Sequence, residues 1–530
     1  MASGPTAGLP AWWDSALVVA YVTALVGLGA WASRRQAHAE DYFLASRASR
    51  WPAIGLALLA SNISSTALIG LAGAAFATGI SVYDYEWSAA VVLVFFCVFL
   101  LPFVLQSRVY TMPEFLERRY DARARLYFAC LTLFLNVFVD AAAALYSGSL
   151  VTRVLFPGTP LWVIVSALAG AAGIYTLLGG LRAVIYTEAV QAILLLIGAV
   201  LIALTAFARA GGWHAVMTQV PPASLSLIRP IGDPGVPWPG LLFGIPVLGF
   251  YYWCTNQFIV QRVLSARSLD HGRWGALFAG LLKLPVLFLM VLPGTCAILL
   301  FPHVARVDLV YPSLVFGLLP TGLLGIVAAS FAAATMASVA STLNSASALI
   351  TMDIIRRTVP SLSNRNVVRI GRACTAGLLL VAMLWAPRLE SFHSLWQYLQ
   401  AMLAYAVPPI VALFVVGLFW RRANVAGANA MLLFGTAAGV LLFLANVVFH
   451  WVHLHFLYVA PVLLVIDAGI LIAVSRSSGP PKAAAESLSW SRAYFRAESE
   501  RLRSLPAWRN YRVQAVLLLV LTACVVVAFR

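Results

Sequence analysis

The chain has 530 residues, 62% of them hydrophobic and only 10% charged, with a mean hydropathy of +0.90. A soluble globule is nearer half apolar and a quarter charged, so this composition excludes one and indicates an all-α polytopic membrane protein. Lys and Arg (35) outnumber Asp and Glu (19), giving +16; no basic stripe interleaves with exposed aromatics, so nucleic acid is excluded as a partner, and basic loops that hold topology against the lipid account for the excess.

A membrane helix needs about 20 consecutive apolar residues. In chain order such runs fall at 14–32, 52–78, 84–106, 124–154, 159–178, 184–207, 237–264, 272–301, 312–350, 367–387, 394–420, 424–448, 454–475 and 513–529, about 14 transmembrane helices. The first run lacks a basic leader and is followed by more spans, so no cleavable signal peptide is expected. Cys97, Cys130, Cys254, Cys296, Cys374 and Cys524 all lie in or beside apolar runs and form no Cys-x-x-Cys, which reads as small core residues.

Basic residues concentrate in alternate loops. Arg34, Arg35, Arg47 and Arg50, then Arg118, Arg119 and Arg123, then Arg182, then Arg262, Arg267 and Arg273 fall on one side. Arg356, Arg357 and Arg365, then Arg421 and Arg422, then segment 476–512 continue the series, while the other side holds little beyond Arg209, Arg229 and Arg306. Fourteen spans put every basic loop in the cytoplasm and both termini outside it, in a plasma or inner membrane. SRSSGPPKAAAE reads as a linker; SLSWSRAYFRAESERLRSLPAW reads either as an amphipathic helix on the inner membrane surface or as a solvated loop helix.

Three spans are unusually polar. LLASNISSTALIGLAG (58–73) places Ser61, Asn62, Ser64, Ser65 and Thr66 in an apolar run. Such residues favour non-helical backbone by bonding locally, and irregular backbone at membrane depth is tolerated only where it lines a cavity. A break there frees carbonyls for a bare monovalent cation; the competing reading is serines bonding back along an intact helix that packs closely. FYYWCTNQFIVQR (250–262) is a second interrupted span. Paired interruptions mark an inverted-repeat transporter with its site at the midplane, so spans two to six and seven to eleven are expected to form a 5+5 core. FAAATMASVASTLNSASALITMD (331–353) carries Ala334, Ser338, Ser341 and Ser345 along one face, either a close-packing stripe or a hydroxyl supply opposite the first break.

Ionisable groups within spans are few: Glu86, Asp140, Glu188 and Lys283, with the amides Gln397 and Gln400. Glu86 and Lys283 either pair with each other or each hold a polar ligand. Tyr85, Trp87, Tyr252, Trp253 and Trp396 neighbour them in sequence; they suit stacking on a polyhydroxyl solute, or else form an interfacial belt. His450, His453 and His455 lie at a membrane edge. They are a zinc candidate for a membrane-embedded enzyme, but lack a nearby carboxylate or thiol and read better as interfacial residues beside Trp451.

ASNISSTALIGLAG, YEWSA, TMPEFL, YWCTNQFIVQR, LKLPVLFLMVLPG, LNSASALITMDI and YLQAMLAYAVPPI occur in order between about residues 15 and 425. Together they resemble the sodium/solute symporter family, most closely its sodium/glucose cotransporter branch. The resemblance implies the leucine-transporter-type inverted-repeat fold and a co-transported sodium ion. It implies sodium held at Ala60 and Ile63 of the break and at Ala334 and Ser338, and solute held by Asn62, Glu86, Lys283 and Gln400. Tyr252 and Trp253 are expected to contact the solute as well, Tyr252 also matches the inner gate, and Leu71, Tyr85 and Trp396 match the outer gate. Where the family usually has two hydroxyls this chain has Ala337 before Ser338. Ala340 and Glu188 replace the hydroxyl and Asp of members that carry a second sodium, so one sodium per solute is expected. Ala67, Ala89 and Gly249 stand at positions often polar in sugar-binding members, which points to a sugar or polyol whose hydroxyl pattern differs from that of glucose or galactose.

The domains expected are an extra helix and cytoplasmic loop (1–51), two five-helix repeats (52–236 and 237–422), two peripheral helices (423–475), a cytoplasmic basic loop (476–512) and a last helix (513–530). The function expected is sodium-driven import of a small polar solute, a sugar or polyol, by alternating access, with membrane lipids as surroundings. Alternatives are sodium symport of an amino acid, a carboxylate or an inositol-like solute. A sensor role is disfavoured because the chain carries no attached signalling domain after its final apolar run.

Overall fold

The structure is a computed structural model that describes residues 12–32, 47–109, 111–320, 322–355, 358–359, 361 and 364–530. Arg34, Arg35, Arg356 and Arg357 lie outside the described residues, and the side chains of Arg182, Glu188 and Arg365 are likewise not described. The architecture is helical; among the described residues the β-pairing consists of the isolated bridges Ser49–Ala266 and Arg229–Pro237. Apolar segments in lipid must satisfy their backbone internally, which leaves helices as the solution for these runs.

Among the described residues, seven helices are long and apolar enough to cross a membrane, or up to 11 when each bent pair counts as one span. Trp12–Ala32 and the shorter apolar helices Leu161–Ile174 and Gly240–Thr255 supply the remaining expected crossings. Helix is continuous over Leu161–Arg209, 49 residues, about 74 Å if straight against a hydrocarbon core of about 30 Å. Arg153, just before it, pairs with Glu390, which also pairs with Arg306, and Ser224, after it, packs on Gly79; the run is long enough for the two expected spans.

One expectation is corrected. The run 312–350 is not one span: Val310–Leu318 ends at an extended Leu319 and the long helix Leu323–Ala348 starts after Gly322 at φ 92°. Pro320 has no N–H to continue the first helix, and Gly322 takes a backbone conformation costly for other residues. Prolines also bend two other spans: 42° between Leu269–Leu282 and Leu287–Leu300, around Pro285, and 52° between Leu395–Ala406 and Pro408–Phe419.

The two interruptions are present. Trp51–Asn62 and Ser65–Thr78 meet at 61°, with Ile63 and Ser64 extended and the Ser64 hydroxyl accepting from Ala67 N at 3.1 Å. Thus the hydroxyl that competes with helix inside the first half caps the second. In the same way Gly240–Thr255 stops at an extended Asn256, whose side chain accepts from Phe258 N at 3.0 Å and starts Gln257–Leu264.

Among the described residues, several of the basic segments that the sequence puts on one side contact one another. Arg119 donates to the carbonyls of Gly417, Trp420 and Ala423; Ser265 bonds Ser49 at 2.8 Å; Arg501 pairs with Asp270 at 2.9 Å. The helix Arg492–Arg503 is docked there rather than free. Glu498 pairs with the fully buried Arg273 at 2.6 Å and with Arg512 at 2.9 Å, and accepts from Tyr511 at 2.7 Å.

Candidate functional site

The break in the first polar span positions the site. Helix ends leave carbonyls without intrahelical partners, and those of Ala60, Ser61 and Ile63 fall outside the helical ladder here. Asn62, the last residue of the first half, faces two other spans: its amide donates to the Tyr252 hydroxyl at 3.1 Å, and its Oδ1 accepts from Lys283 Nζ. Lys283 also pairs with Glu86. The two side chains are 1% and 6% exposed, so each charge is compensated by the other, one of the two arrangements the sequence left open. Lys283 lies where Leu269–Leu282 loosens ahead of Pro285, and its ammonium is 5.4 Å from the Trp253 ring. Glu86, Lys283, Asn62 and Tyr252 thus form one connected network drawn from four helices.

Beside this network lies a cavity of about 180 Å³ lined by Asn62, Glu86, Gln400, Tyr252, Trp253, Tyr85, Trp396 and Ser338, with Ser64, Thr66, Asn136, Asp140 and Asn256 among the other walls. Lys283 stands behind the wall, reaching it through Asn62 and Glu86. Tyr85 and Trp396 meet edge to face at 5.4 Å, and Trp396 packs so closely on Gly70 that a Cβ there would sit 2.9 Å from the indole. Leu71 is fully buried beside them and does not line the cavity. The Tyr85 hydroxyl and the Trp396 indole N–H have no hydrogen-bond partner among the described residues. Trp87, another of the neighbouring aromatics, donates to Asp84 at 2.7 Å, and Gln397 is exposed.

Of the four residues expected at sodium, Ser338 lines the cavity, whereas Ala60, Ile63 and Ala334 do not. Ala334 and Ser338 are on Leu323–Ala348, the helix that packs on the second half of the break. The contact is a hydroxyl cluster that the sequence reading did not single out. Ser65 bonds Ser147 at 3.0 Å and Thr335 at 3.2 Å, and Thr66 bonds Ser147 at 3.2 Å. Gly148 has no side chain to displace Thr335 from it. The hydroxyl that this helix offers to the second half of the break is thus that of Thr335, not one from the stripe Ala334, Ser338, Ser341 and Ser345. Asn136 was missed; an amide and a carboxylate four residues apart in FLNVFVDAA were the available signal.

The zinc candidate is not supported. His455 caps its own helix at Leu457 N and sits 3.1 Å from the Pro234 carbonyl, and among the described residues no three His, Cys, Asp or Glu gather as a metal would need. Burial is the larger influence on His455, outweighing the Pro234 carbonyl and Asp233, and it lowers the imidazole pKa.

A family model described as the sodium:solute symporter family matches residues 42–435. Sodium/glucose cotransporter 4 of Danio rerio is 34% identical over 530 residues, covering 90% of this chain and 80% of that protein. Sodium/myo-inositol cotransporter 2 of Oryctolagus cuniculus is 35% identical, covering 84% and 71%, and a sodium/mannose cotransporter of Bos taurus is 34% identical, covering 90% and 89%. Among solved structures, the substrate-bound outward-open state of a Na+-coupled sialic acid symporter superposes with a TM-score of 0.75 at 22% identity, over 88% of this chain and 98% of that one. A nucleobase-cation-symport-1 family transporter in a closed conformation superposes with a TM-score of 0.53 at 14% identity, over 83% and 97%. These likenesses give the fold: a leucine-transporter-type core of two inverted five-helix repeats.

Proposed function

This chain belongs to the sodium:solute symporter family; it is a multi-pass membrane transporter, not an enzyme, that moves a small polar solute with sodium, and on that premise we propose that it imports a sugar or polyol by alternating access. The observation that carries this reading is the Glu86–Lys283–Asn62–Tyr252 network set against one cavity with Gln400 and the rings of Tyr85, Trp253 and Trp396. Because Glu86 and Lys283 cancel each other, this network presents hydrogen-bond acceptors and donors, rather than a net charge, to the hydroxyls of a solute. Alternating hydroxyls and an apolar ring face match that mix of hydrogen bonds and aromatic surface.

In this reading Asn62, Glu86, Gln400, Tyr252 and Trp253 hold the solute, and Lys283 orients Asn62 and Glu86. Sodium binds between the Ala60 and Ile63 carbonyls of the break and Ala334 and Ser338 opposite. Leu71, Tyr85 and Trp396 close the outer side; the cavity wall continues to Leu135, Asn256 and Phe258, which supports a state sealed outside and extending inward. Residues 52–236 and 237–422 are the two repeats. The side that carries the basic segments faces the cytoplasm of a plasma or inner membrane, with both termini on the other side. An inositol-like polyol suits the same groups.

The test is uptake of radiolabelled hexoses and polyols into proteoliposomes with and without an inward sodium gradient at fixed pH. Sodium-dependent accumulation of one of them is expected. Accumulation of amino acids or carboxylates alone would overturn the solute class.

A further inference from the structure

Asp140 is a carboxylate at membrane depth that the proposed solute contacts leave unused. It sits on a distorted turn, Asn136–Ala141, of the long span Ala122–Leu155, and its side chain is part of the cavity wall. Among the described residues no Lys, Arg or His pairs with it, and no hydrogen bond reaches it. One turn before it, Asn136 lines the same wall with its amide nitrogen unpartnered. Glu86, the other carboxylate on the wall, is neutralised by Lys283. Asp140 is therefore the one carboxylate on the wall that no basic group among the described residues compensates.

An isolated carboxylate at membrane depth is costly unless a partner arrives to neutralise it. Ala67, Ala144 and Gly249, on the same cavity wall, offer only carbon and backbone. Asp140 is close enough to Tyr251 and Tyr252 to act on both electrostatically. It thus faces the second interrupted span, where the solute cavity is, while Ala60, Ile63 and Ala334 of the sodium pathway lie off the cavity wall.

We propose that Asp140, with Asn136 beside it, is a specificity-determining acceptor for a cationic amino group on the solute, so that the transporter prefers an amino sugar or amino polyol to its plain hydroxyl counterpart. The inference rests on the reading of the cavity as a polyhydroxyl-solute site. A hydroxyl at the same position can donate one hydrogen bond to Asp140. An ammonium donates a charge-assisted one and also cancels the charge, which is worth on the order of ten- to a hundredfold in affinity.

The experiment is competition between D-glucosamine and D-glucose, and between D-mannosamine and D-mannose, for sodium-driven uptake into proteoliposomes at fixed neutral pH. It is run on the full chain and on Asp140→Asn and Asp140→Glu, with each variant's thermal unfolding in detergent as the check on folding. The expected result is a lower half-saturating concentration for the amino member of a pair, by about tenfold or more. Asp140→Asn should erase that preference and Asp140→Glu should restore part of it. Equal affinity for both members in the unmodified protein overturns the inference while leaving sugar symport intact. So does a variant whose only change is in the sodium concentration needed, which would make Asp140 a counter-charge for the ion. Absence of sodium-driven uptake of any of the four sugars refutes the underlying reading instead.

Discussion

Removing the ammonium of Lys283 should expose how much the cavity depends on its paired charges. In Lys283→Met, Glu86 at 6% side-chain exposure keeps its charge and loses its counter-ion, and Asn62 Oδ1 loses a donor. Breaking a buried pair from one side costs about 3–5 kcal/mol, because the remaining charge is stranded away from water. Adding Glu86→Gln removes that charge, and the double variant should recover most of the loss, since replacing both members of a buried pair is often nearly neutral. The assay is thermal unfolding of the four corners of the cycle in detergent, read beside sodium-driven solute uptake. Stability should fall in the single variant and return in the double one, while uptake stays lost in both, because the groups that orient Asn62 and Glu86 towards the solute are gone. Equal stability of the single and double variants would refute mutual neutralisation as the role of the pair.

Four further outcomes follow from the same geometry. Gln400→Ala should raise the half-saturating solute concentration by about 5- to 30-fold, the worth of one or two neutral hydrogen bonds, with the sodium dependence unchanged; a loss of both would make Gln400 a packing residue. Ser338→Ala should raise the sodium concentration for half-maximal uptake by about tenfold, and an unchanged sodium curve would move the ion elsewhere. Gly70→Ala places a methyl 2.9 Å from Trp396 and should slow turnover by displacing the outer closure, seen as a lower maximal uptake rate at saturating sodium. Docking of Arg492–Arg503 should be lost in acid: burial alone would raise the Glu498 pKa, but Arg273, Tyr511 and Arg512 more than offset it and hold it below the usual range. A carboxylate depressed in the folded state contributes stability above its ordinary pKa of about 4.3 and loses it as pH falls through the lower folded value. Protease cleavage within 476–512 should therefore rise on acidification, and Glu498→Gln should be cleaved readily at neutral pH.

The polar interruptions were legible because their logic is local. Ser64 and Asn256 each compete with the helix ladder through their own side chains and then cap the next helix, and a row of such residues in an apolar run has few other uses. The Glu86–Lys283 pairing was legible as one of two options, since an unpaired charge at that depth is rare. What stayed hidden depends on which helix meets which. Helical spacing puts Thr335 and Ser338 on neighbouring parts of one surface, but only the fold shows that Ser65 and Ser147 meet Thr335 and that Ser338 is left to the cavity. Hydropathy likewise merged Val310–Leu318 with Leu323–Ala348, because Pro320 and Gly322 lower the window average too little to end a span. Asp140 could be read as a buried acid, and not as an unpaired one, until the walls around it were known.

The placement of Asn62 suggests how ion and solute come to depend on each other. It ends the half-helix whose freed carbonyls, at Ala60 and Ile63, are the proposed sodium ligands, and its side chain joins Tyr252, on the proposed second repeat, to Lys283 and Glu86. A cation that orders those carbonyls also restrains the backbone from which the Asn62 amide projects, so part of the entropy of assembling the solute site is already spent when solute arrives. The coupling must be reciprocal: solute bound against Asn62 has to tighten sodium by the same factor. Tyr252 then matters twice, as a wall of the cavity and as the contact through which the second repeat senses whether the first is ordered. Tyr252→Phe keeps the ring and removes the hydroxyl that accepts from Asn62. It should leave each ligand able to bind alone and reduce the factor by which one strengthens the other, measured as the shift in half-saturating solute concentration between low and high sodium. A Tyr252→Phe protein with the full shift would place the coupling in the hydroxyl cluster of Ser65, Ser147 and Thr335 rather than in this bond.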